Sequence, residues 1–105
     1  MDAADLYSID VCKEKYEEIL KEIYFDNDKL QFNQIDAVQE DKLGKVVKEY
    51  KTCQKQKGFI PPITFYTNYV GMHITKLMTS LSPQQRIDLK EKSSKVYQII
   101  KSSMN

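Results

Sequence analysis

Tryptophan is absent from this chain, and glycine and proline occur only three times each. Strand turns and flexible linkers consume both residues, so their scarcity argues against an all-β fold and against a disordered chain. No stretch reaches the roughly 20 uninterrupted apolar residues that cross a bilayer, and we expect no membrane partner. Hydrophobic residues make up 41% and charged residues 30% of the 105 residues, a composition typical of one globular domain.

Motifs of catalysis and cofactor binding are missing too. The sequence has no glycine-rich phosphate loop, no Cys-x-x-Cys and no Gly-x-Ser-x-Gly. Its one histidine, His73, and two cysteines cannot close a zinc site, and the paired Glu-x-x-His motifs of a di-metal bundle do not occur. We therefore predict that the protein is not an enzyme and has no catalytic residue, no metal and no cofactor, with His73 at the edge of the core.

Signals of export are also lacking. The N-terminal MDAADLYSID is acidic and has no apolar run, and no Asn-x-Ser/Thr acceptor occurs. These absences favour an intracellular protein, cytoplasmic or nuclear. Cys12 and Cys53 each lie on the apolar side of a predicted helix, where free cysteines behave as small hydrophobic residues, so we predict two buried thiols. A Cys12–Cys53 disulfide is the alternative if the two helices run antiparallel.

Apolar residues spaced three and four apart dominate what is present. This spacing keeps side chains on one stripe of an α-helix, and such a stripe must be buried against something. The four stripes are Ile9, Cys12, Tyr16, Ile19 and Ile23; Leu43, Val46, Tyr50 and Cys53; Val70, Ile74, Leu77 and Leu81; and Leu89, Ser93, Val96 and Ile100. They predict an all-α fold, a compact four-helix bundle with helices near 9–25, 36–57, 64–80 and 83–101. We expect one domain over residues 1–105, with 1–7 and 102–105 frayed.

Local signals set these boundaries. Residues 26–35 read as an irregular connection with Phe32 in the core, because a lone short strand has no pairing partner. The segment GFIPPI should lie extended across the bundle, since two prolines fix φ and remove donors. Candidate caps and stops are Ser8 or Asp10 for the first helix, Asp36 with Gln39 and then Gly58 for the second, Thr64 or Thr67 for the third, and Ser82, Pro83 and Gln85 for the fourth.

The near-zero net charge of +1 hides an asymmetry. Residues 1–41 carry twelve acids and four lysines, a balance of −8, whereas residues 42–105 carry twelve bases and three acids, a balance of +9. Three interpretations of this charge asymmetry stay open. The opposite charges pair between helices of one molecule, they attract different molecules to each other, or the basic half binds an acidic partner.

Aromatic and methionine residues give the most specific candidate surface. They cluster around the proline turn and along the third helix, and such residues are enriched at interface hot spots. The predicted partner-binding residues are Phe59, Ile60, Phe65, Tyr66, Tyr69, Met72 and Met78. Packing within the core is the competing interpretation, because tyrosine and methionine at helical spacing often face inward.

Lysines of the second and fourth helices suggest an alternative function, nucleic-acid binding. Phosphate binding needs clustered cations, since neutralised phosphates release counterions, although specific base reading favours arginine and the chain has only one. The alternative nucleic-acid-binding residues are Lys45, Lys48, Lys51, Lys55, Arg86 and Lys90.

The function predicted from these features is a non-enzymatic helical protein–protein interaction module. It would associate with itself, a homodimer being one form, or bind an amphipathic segment of a partner protein. A nucleic-acid-binding domain is the second hypothesis. The third is a small-ligand carrier with a cavity between helices, which would suit a secreted protein with a Cys12–Cys53 bridge.

Overall fold

A computed structural model of the protein describes residues 8–104. The elements are α1 (Ile9–Tyr24), β1 (Phe25–Asp26), β2 (Lys29–Leu30), α2 (Ala37–Lys51), α3 (Pro62–His73), a 3-10 helix (Thr75–Ser80) and α4 (Pro83–Ser103). The all-α fold with four packed helices is therefore confirmed. Residues 1–7, which the sequence predicts to fray, lie outside the described part of the chain.

The first helix begins where the sequence predicts. The Ser8 hydroxyl accepts a hydrogen bond from the Val11 N–H at 3.3 Å, and the residues of the first stripe face the core, with only Ile9 partly exposed. The connection that follows corrects the prediction of irregular chain, because Phe25 pairs with Leu30 and Asp26 with Lys29 in a two-residue antiparallel ladder. Asn27 and Asp28 close the hairpin at φ 51° and 65°, a conformation these residue types tolerate.

The second helix starts with the predicted capping box of Asp36 and Gln39 but ends six residues before the predicted boundary, at Lys51. Beyond it, successive N–H groups bond to carbonyls three residues back, and the Thr52 hydroxyl donates to the Glu49 carbonyl at 2.6 Å. This local side-chain bond competes with the α-helical pattern. Gly58 adopts φ 90° and turns the chain towards the prolines.

The third predicted helix is two elements. It begins at Pro62, two residues earlier than predicted and without a threonine cap, because Pro62 takes a first-turn position where a missing N–H costs nothing. The α-helix stops at His73 rather than residue 80, and Thr75–Ser80 continue as a 3-10 helix. The Thr75 hydroxyl donates to the Val70 carbonyl at 3.3 Å, beside this change of helix type.

The fourth helix has the predicted capping box of Ser82 and Gln85 and extends to Ser103. The helix thus ends two residues later than predicted. That residues 102–105 fray stays a prediction, and Asn105 is outside the described residues. The Ser103 hydroxyl donates to the Ile99 carbonyl, the Lys51 ammonium donates to the Met104 carbonyl, and the Met104 side chain packs against the core. These bonds hold the C-terminal turn onto α2.

Helix α2 lies between α1 and α4, and α3 packs against α4 and the end of α2. Buried side chains from all four helices form one hydrophobic cluster, against which Phe32 packs as predicted. At Gly44, an added Cβ would lie 3.3 Å from the Ser103 hydroxyl, so α2 and α4 approach closely there. That the whole chain is one domain stays a prediction.

Cys12 and Cys53 form a disulfide, so the prediction of two free thiols is wrong. The two helices run antiparallel, as their ion pairs Lys15–Glu49 and Lys42–Glu22 also indicate. Antiparallel packing brings the start of α1 to the end of α2, with the two Cα atoms 6.9 Å apart.

Reducing this disulfide should destabilise the fold. The bridge joins residues 41 positions apart, and a loop of that size lowers the entropy of the unfolded chain enough to stabilise the native state by about 4 kcal/mol. Urea unfolding with and without reductant should show this difference in free energy. A Cys12→Ala/Cys53→Ala variant serves as the control, because its stability should not respond to reductant; an unchanged wild type would show that the bridge stabilises nothing.

Candidate functional site

The proline turn is held against α1 and α2 by aromatic packing. Phe65 stacks on Tyr16 with ring centroids 4.7 Å apart, and Phe59 lies 5.0 Å from the Tyr50 ring. The Tyr50 hydroxyl donates to the Ile60 carbonyl. Of the predicted partner-binding residues, Phe59, Ile60 and Phe65 are each half-buried by these contacts, which leaves only part of each side chain to solvent.

Tyr66 and Tyr69 lie deeper, at 4% and 6% exposure. The Tyr66 and Tyr24 hydroxyls share a hydrogen bond of 2.6 Å, and Tyr66 donates to the Ser93 carbonyl at 3.2 Å. Burial raises the pKa of both Tyr24 and Tyr66, and it raises the pKa of Tyr69 to about 12, with the nearby Glu17 carboxylate adding to the effect. These rings hold α3 against α1 and α4.

The two methionines of the predicted surface are separated. Met72 is 65% exposed, whereas Met78 is half-buried in the 3-10 helix next to Arg86 and Ile87 of α4. A partner at Met78 would therefore contact α4, a helix from which the sequence prediction took no partner-binding residue.

A groove runs along α4 on this side of the molecule, bordered by α3 in one part and by the 3-10 helix in the other. It consists of two depressions, about 470 Å³ and about 360 Å³ in volume, that share Lys90. We call it the α3–α4 groove; it is lined by Tyr66, Thr67, Val70, Gly71, Thr75, Met78, Thr79, Arg86, Ile87, Lys90, Ser93, Ser94 and Tyr97. Two of its side chains are exposed apolar ones, Ile87 at 50% and Tyr97 at 39%. The groove thus joins Tyr66 and Met78 of the partner-binding set to Arg86 and Lys90 of the nucleic-acid-binding set.

Charge around the α3–α4 groove has one sign. None of its lining residues is acidic, and the sequence contains no aspartate or glutamate between Glu49 and Asp88. Lys90 is exposed and forms no ion pair with a described residue. Arg86, by contrast, donates to the Met78 and Thr79 carbonyls at 3.1 and 3.5 Å and so caps the 3-10 helix. Lys90 is the cation that a ligand in the groove would meet.

The lysines of the nucleic-acid alternative do not share one surface with these residues. Lys45 and Lys48 line a different, open groove between α2 and α4, and Lys45 pairs there with Asp41 at 3.1 Å. The Lys51 ammonium is bound to the Met104 carbonyl. Lys55 is exposed in the turns after α2. Nucleic-acid binding through this set stays a prediction.

Sequence reasoning missed Lys92. Its side chain is fully buried, and its ammonium donates to the Gln31 carbonyl at 3.2 Å and lies 5.4 Å from the Tyr24 ring centroid. Burial lowers the pKa of Lys92 to about 8. The signal was its spacing, three residues after Leu89 and four before Val96, which places Lys92 on the buried side of α4. Its bond to Gln31 holds α4 against the segment after the hairpin.

Other clefts offer less chemistry. His73 stacks on Tyr69 with ring centroids 4.6 Å apart, in a cleft of about 270 Å³ that Glu17 and Asp28 also line. Among residues 8–104, no group of three His, Cys, Asp or Glu side chains could hold a metal ion. The space beside the disulfide is about 150 Å³, below the roughly 300 Å³ at which small-molecule pockets begin. Within the same part of the chain, no helix is both long and apolar enough to cross a membrane.

Comparisons with known proteins add no relative: no family model matches the chain, and neither a curated protein nor a solved structure matches it significantly.

Removing the Lys92 charge should change how stability depends on pH. The folded pKa of about 8 lies below the unfolded value of 10.5, so above pH 8 the unfolded chain binds more protons and stability rises with pH. From pH 7 to pH 9 the wild type should gain about 1 kcal/mol in free energy of unfolding, measured by urea titration without reductant. Lys92→Met should show no such gain, and an equal gain in both proteins would contradict the assignment to Lys92.

Proposed function

We propose that this chain is a non-enzymatic protein-interaction module whose α3–α4 groove binds an amphipathic segment of a partner protein. The observation that carries the proposal is the groove itself, an open depression with an apolar wall on each side. Val70 and Tyr97 line the depression beside α3, Met78 and Ile87 line the one beside the 3-10 helix, and Ile87 and Tyr97 are exposed. Grooves between helices accept the apolar face of a partner helix.

The support from Tyr66 and Tyr69 is indirect. Their buried rings would not be contacted face-on by a partner; they fix the distance between α3 and α4, and so the width of the groove. Phe59, Ile60 and Phe65 hold the preceding turn in the same way. A partner would therefore contact the preformed groove and its exposed rim rather than the aromatic cluster that the sequence predicts as the binding surface.

Self-association and nucleic-acid binding are the other hypotheses. A second copy could occupy the same groove, and the oligomeric state in solution tests this directly. Nucleic-acid binding is less favoured, because Lys45, Lys51 and Arg86 are already engaged within the molecule and the remaining cations lie on separate surfaces. Steep weakening of binding with salt would be its signature.

The intracellular location stays a prediction, and the disulfide weighs against it. Cytosolic and nuclear thiols are kept reduced, whereas disulfides persist in oxidising compartments. Thiol titration of unfolded protein isolated without reductant would count free cysteines. Two reactive thiols would support the intracellular prediction.

Selection from a displayed peptide library tests the proposed function. Peptides enriched on the folded protein should carry apolar residues at i, i+3 or i+4, and i+7, because that spacing presents one apolar face to the groove. An Ile87→Ala/Tyr97→Ala variant should bind them at least tenfold more weakly, since it removes both exposed apolar side chains of the α4 wall. Binding can be measured by fluorescence anisotropy.

Val38→Ala is the matched control for that variant. Val38 is 70% exposed on α2 and does not line the α3–α4 groove, so its loss should leave peptide affinity unchanged. Equal weakening by both variants, or a selection that enriches no groove-dependent peptide, would refute the proposal.

A further inference from the structure

The three glycines of the chain differ in the structural reason for a residue without a side chain. Gly58 has a positive φ, and at Gly44 an added Cβ would press on the Ser103 hydroxyl. Gly71 lies in the last turns of α3, and an added Cβ there would meet no atom within 4 Å. A helical glycine costs about 1 kcal/mol relative to alanine, and no contact in residues 8–104 accounts for that cost. Gly71 lines the α3–α4 groove, where a missing side chain lets another backbone come close.

The length of the groove sets the size of an occupant. Its lining on α4 runs from Arg86 to Tyr97, and eleven residues of helix rise about 16 Å. This distance corresponds to about three turns of a partner helix. Lys90 lies between the two ends, shared by both depressions.

The positive charge of the groove determines the sign of the charge that an occupant should carry. The acids of α4 nearest to Lys90 are Asp88 and Glu91, and neither lines the groove. A cation that has no counter-ion among residues 8–104 and lies next to apolar side chains favours a ligand that brings both apolar groups and a carboxylate.

We infer that the partner segment is an acidic amphipathic helix of about three turns, and this inference rests on the proposed function. Its apolar face lies between Val70 and the Ile87 and Tyr97 side chains. A carboxylate on the flank of that face pairs with Lys90, and the helix backbone passes closest to α3 at Gly71.

A second copy of the chain fits the groove less well. The acidic helix it could offer is α1, but the apolar stripe of α1 is buried in the core of its own molecule. The one large apolar side chain that α1 exposes is Val11, at 36%. Helix α1 therefore carries the negative charge that the groove favours, but it does not expose an apolar face that could bind there.

Three designed 14-residue peptides test the inference. They share leucines at i, i+3, i+7 and i+10 and carry glutamate, glutamine or lysine at the flanking positions. At low salt, fluorescence anisotropy should give the glutamate peptide at least tenfold higher affinity than the lysine peptide, with the glutamine peptide between them. Lys90→Gln should reduce this ratio to threefold or less.

Gly71→Gln tests the place of binding. Its side chain would project into the groove and should weaken all three peptides at least tenfold. Asn68→Gln is the matched control, because it adds a glutamine to the exposed part of α3 outside the groove lining. Circular dichroism melting of both variants shows whether the fold is kept.

The outcomes separate the inference from the proposed function. Equal affinities for the glutamate and lysine peptides, both lost in Gly71→Gln, would overturn the acidic partner and leave groove binding intact. If no peptide binds and the library enriches none, both the acidic partner helix and the proposed function are refuted. A wild-type dimer by light scattering that Gly71→Gln makes monomeric would identify a second copy as the occupant and overturn the acidic helix.

Discussion

The buried tyrosine hydroxyls are the constraint on which the rest of this fold depends. A buried hydroxyl is costly unless it is hydrogen-bonded. Tyr16 meets that requirement at the Pro62 carbonyl and Tyr50 at the Ile60 carbonyl, which fixes the turn into α3. Tyr24 and Tyr66 meet it with each other and with Ser93, which fixes α3 against α1 and α4. The bond from Tyr66 to the Ser93 carbonyl joins α3 directly to α4 and so helps to set the width of the α3–α4 groove.

Electrostatics shapes the surface rather than the fold. The ion pairs Lys42–Glu22 and Lys95–Glu40 join elements across the bundle, but every described pair is solvent-exposed, and such pairs contribute roughly 0–1 kcal/mol each. Three acids of the first 41 residues, Glu22, Glu40 and Asp41, pair with lysines of α2 and α4 within the molecule. Residues 50–87 contain no aspartate or glutamate. The charge asymmetry of the sequence is therefore still present in the folded protein, as a groove without carboxylates.

Periodicity could not have predicted the groove, and for Lys92 it marks the position on α4 but not the burial of a lysine there. Ile87 and Tyr97 lie off the apolar stripe of α4, and only the position of α3 beside them turns two exposed side chains into one wall. Lys92 occupies a core position because the Gln31 carbonyl and the Tyr24 ring reach it from distant parts of the chain. The Cys12–Cys53 disulfide likewise required the antiparallel packing of α1 and α2, which the sequence allowed but did not require.

The sequence by itself determined the helices, since the 3–4 spacing of apolar residues and the capping residues Ser8, Asp36 and Ser82 act over a few neighbouring positions. It also determined the segment without acidic residues, 50–87. Thr52 and Thr75 bond to carbonyls three and five residues back, where the second and third helices stop, so these helix ends are local features that the apolar spacing does not show. Only the tertiary structure decided that Cys12 of α1 meets Cys53 beyond the end of α2, because this bridge joins residues 41 positions apart. It also decided which side chains meet across helices: Tyr66 went to the core and Gly71, Ile87, Lys90 and Tyr97 to one groove, since burial depends on contacts between residues far apart in the chain.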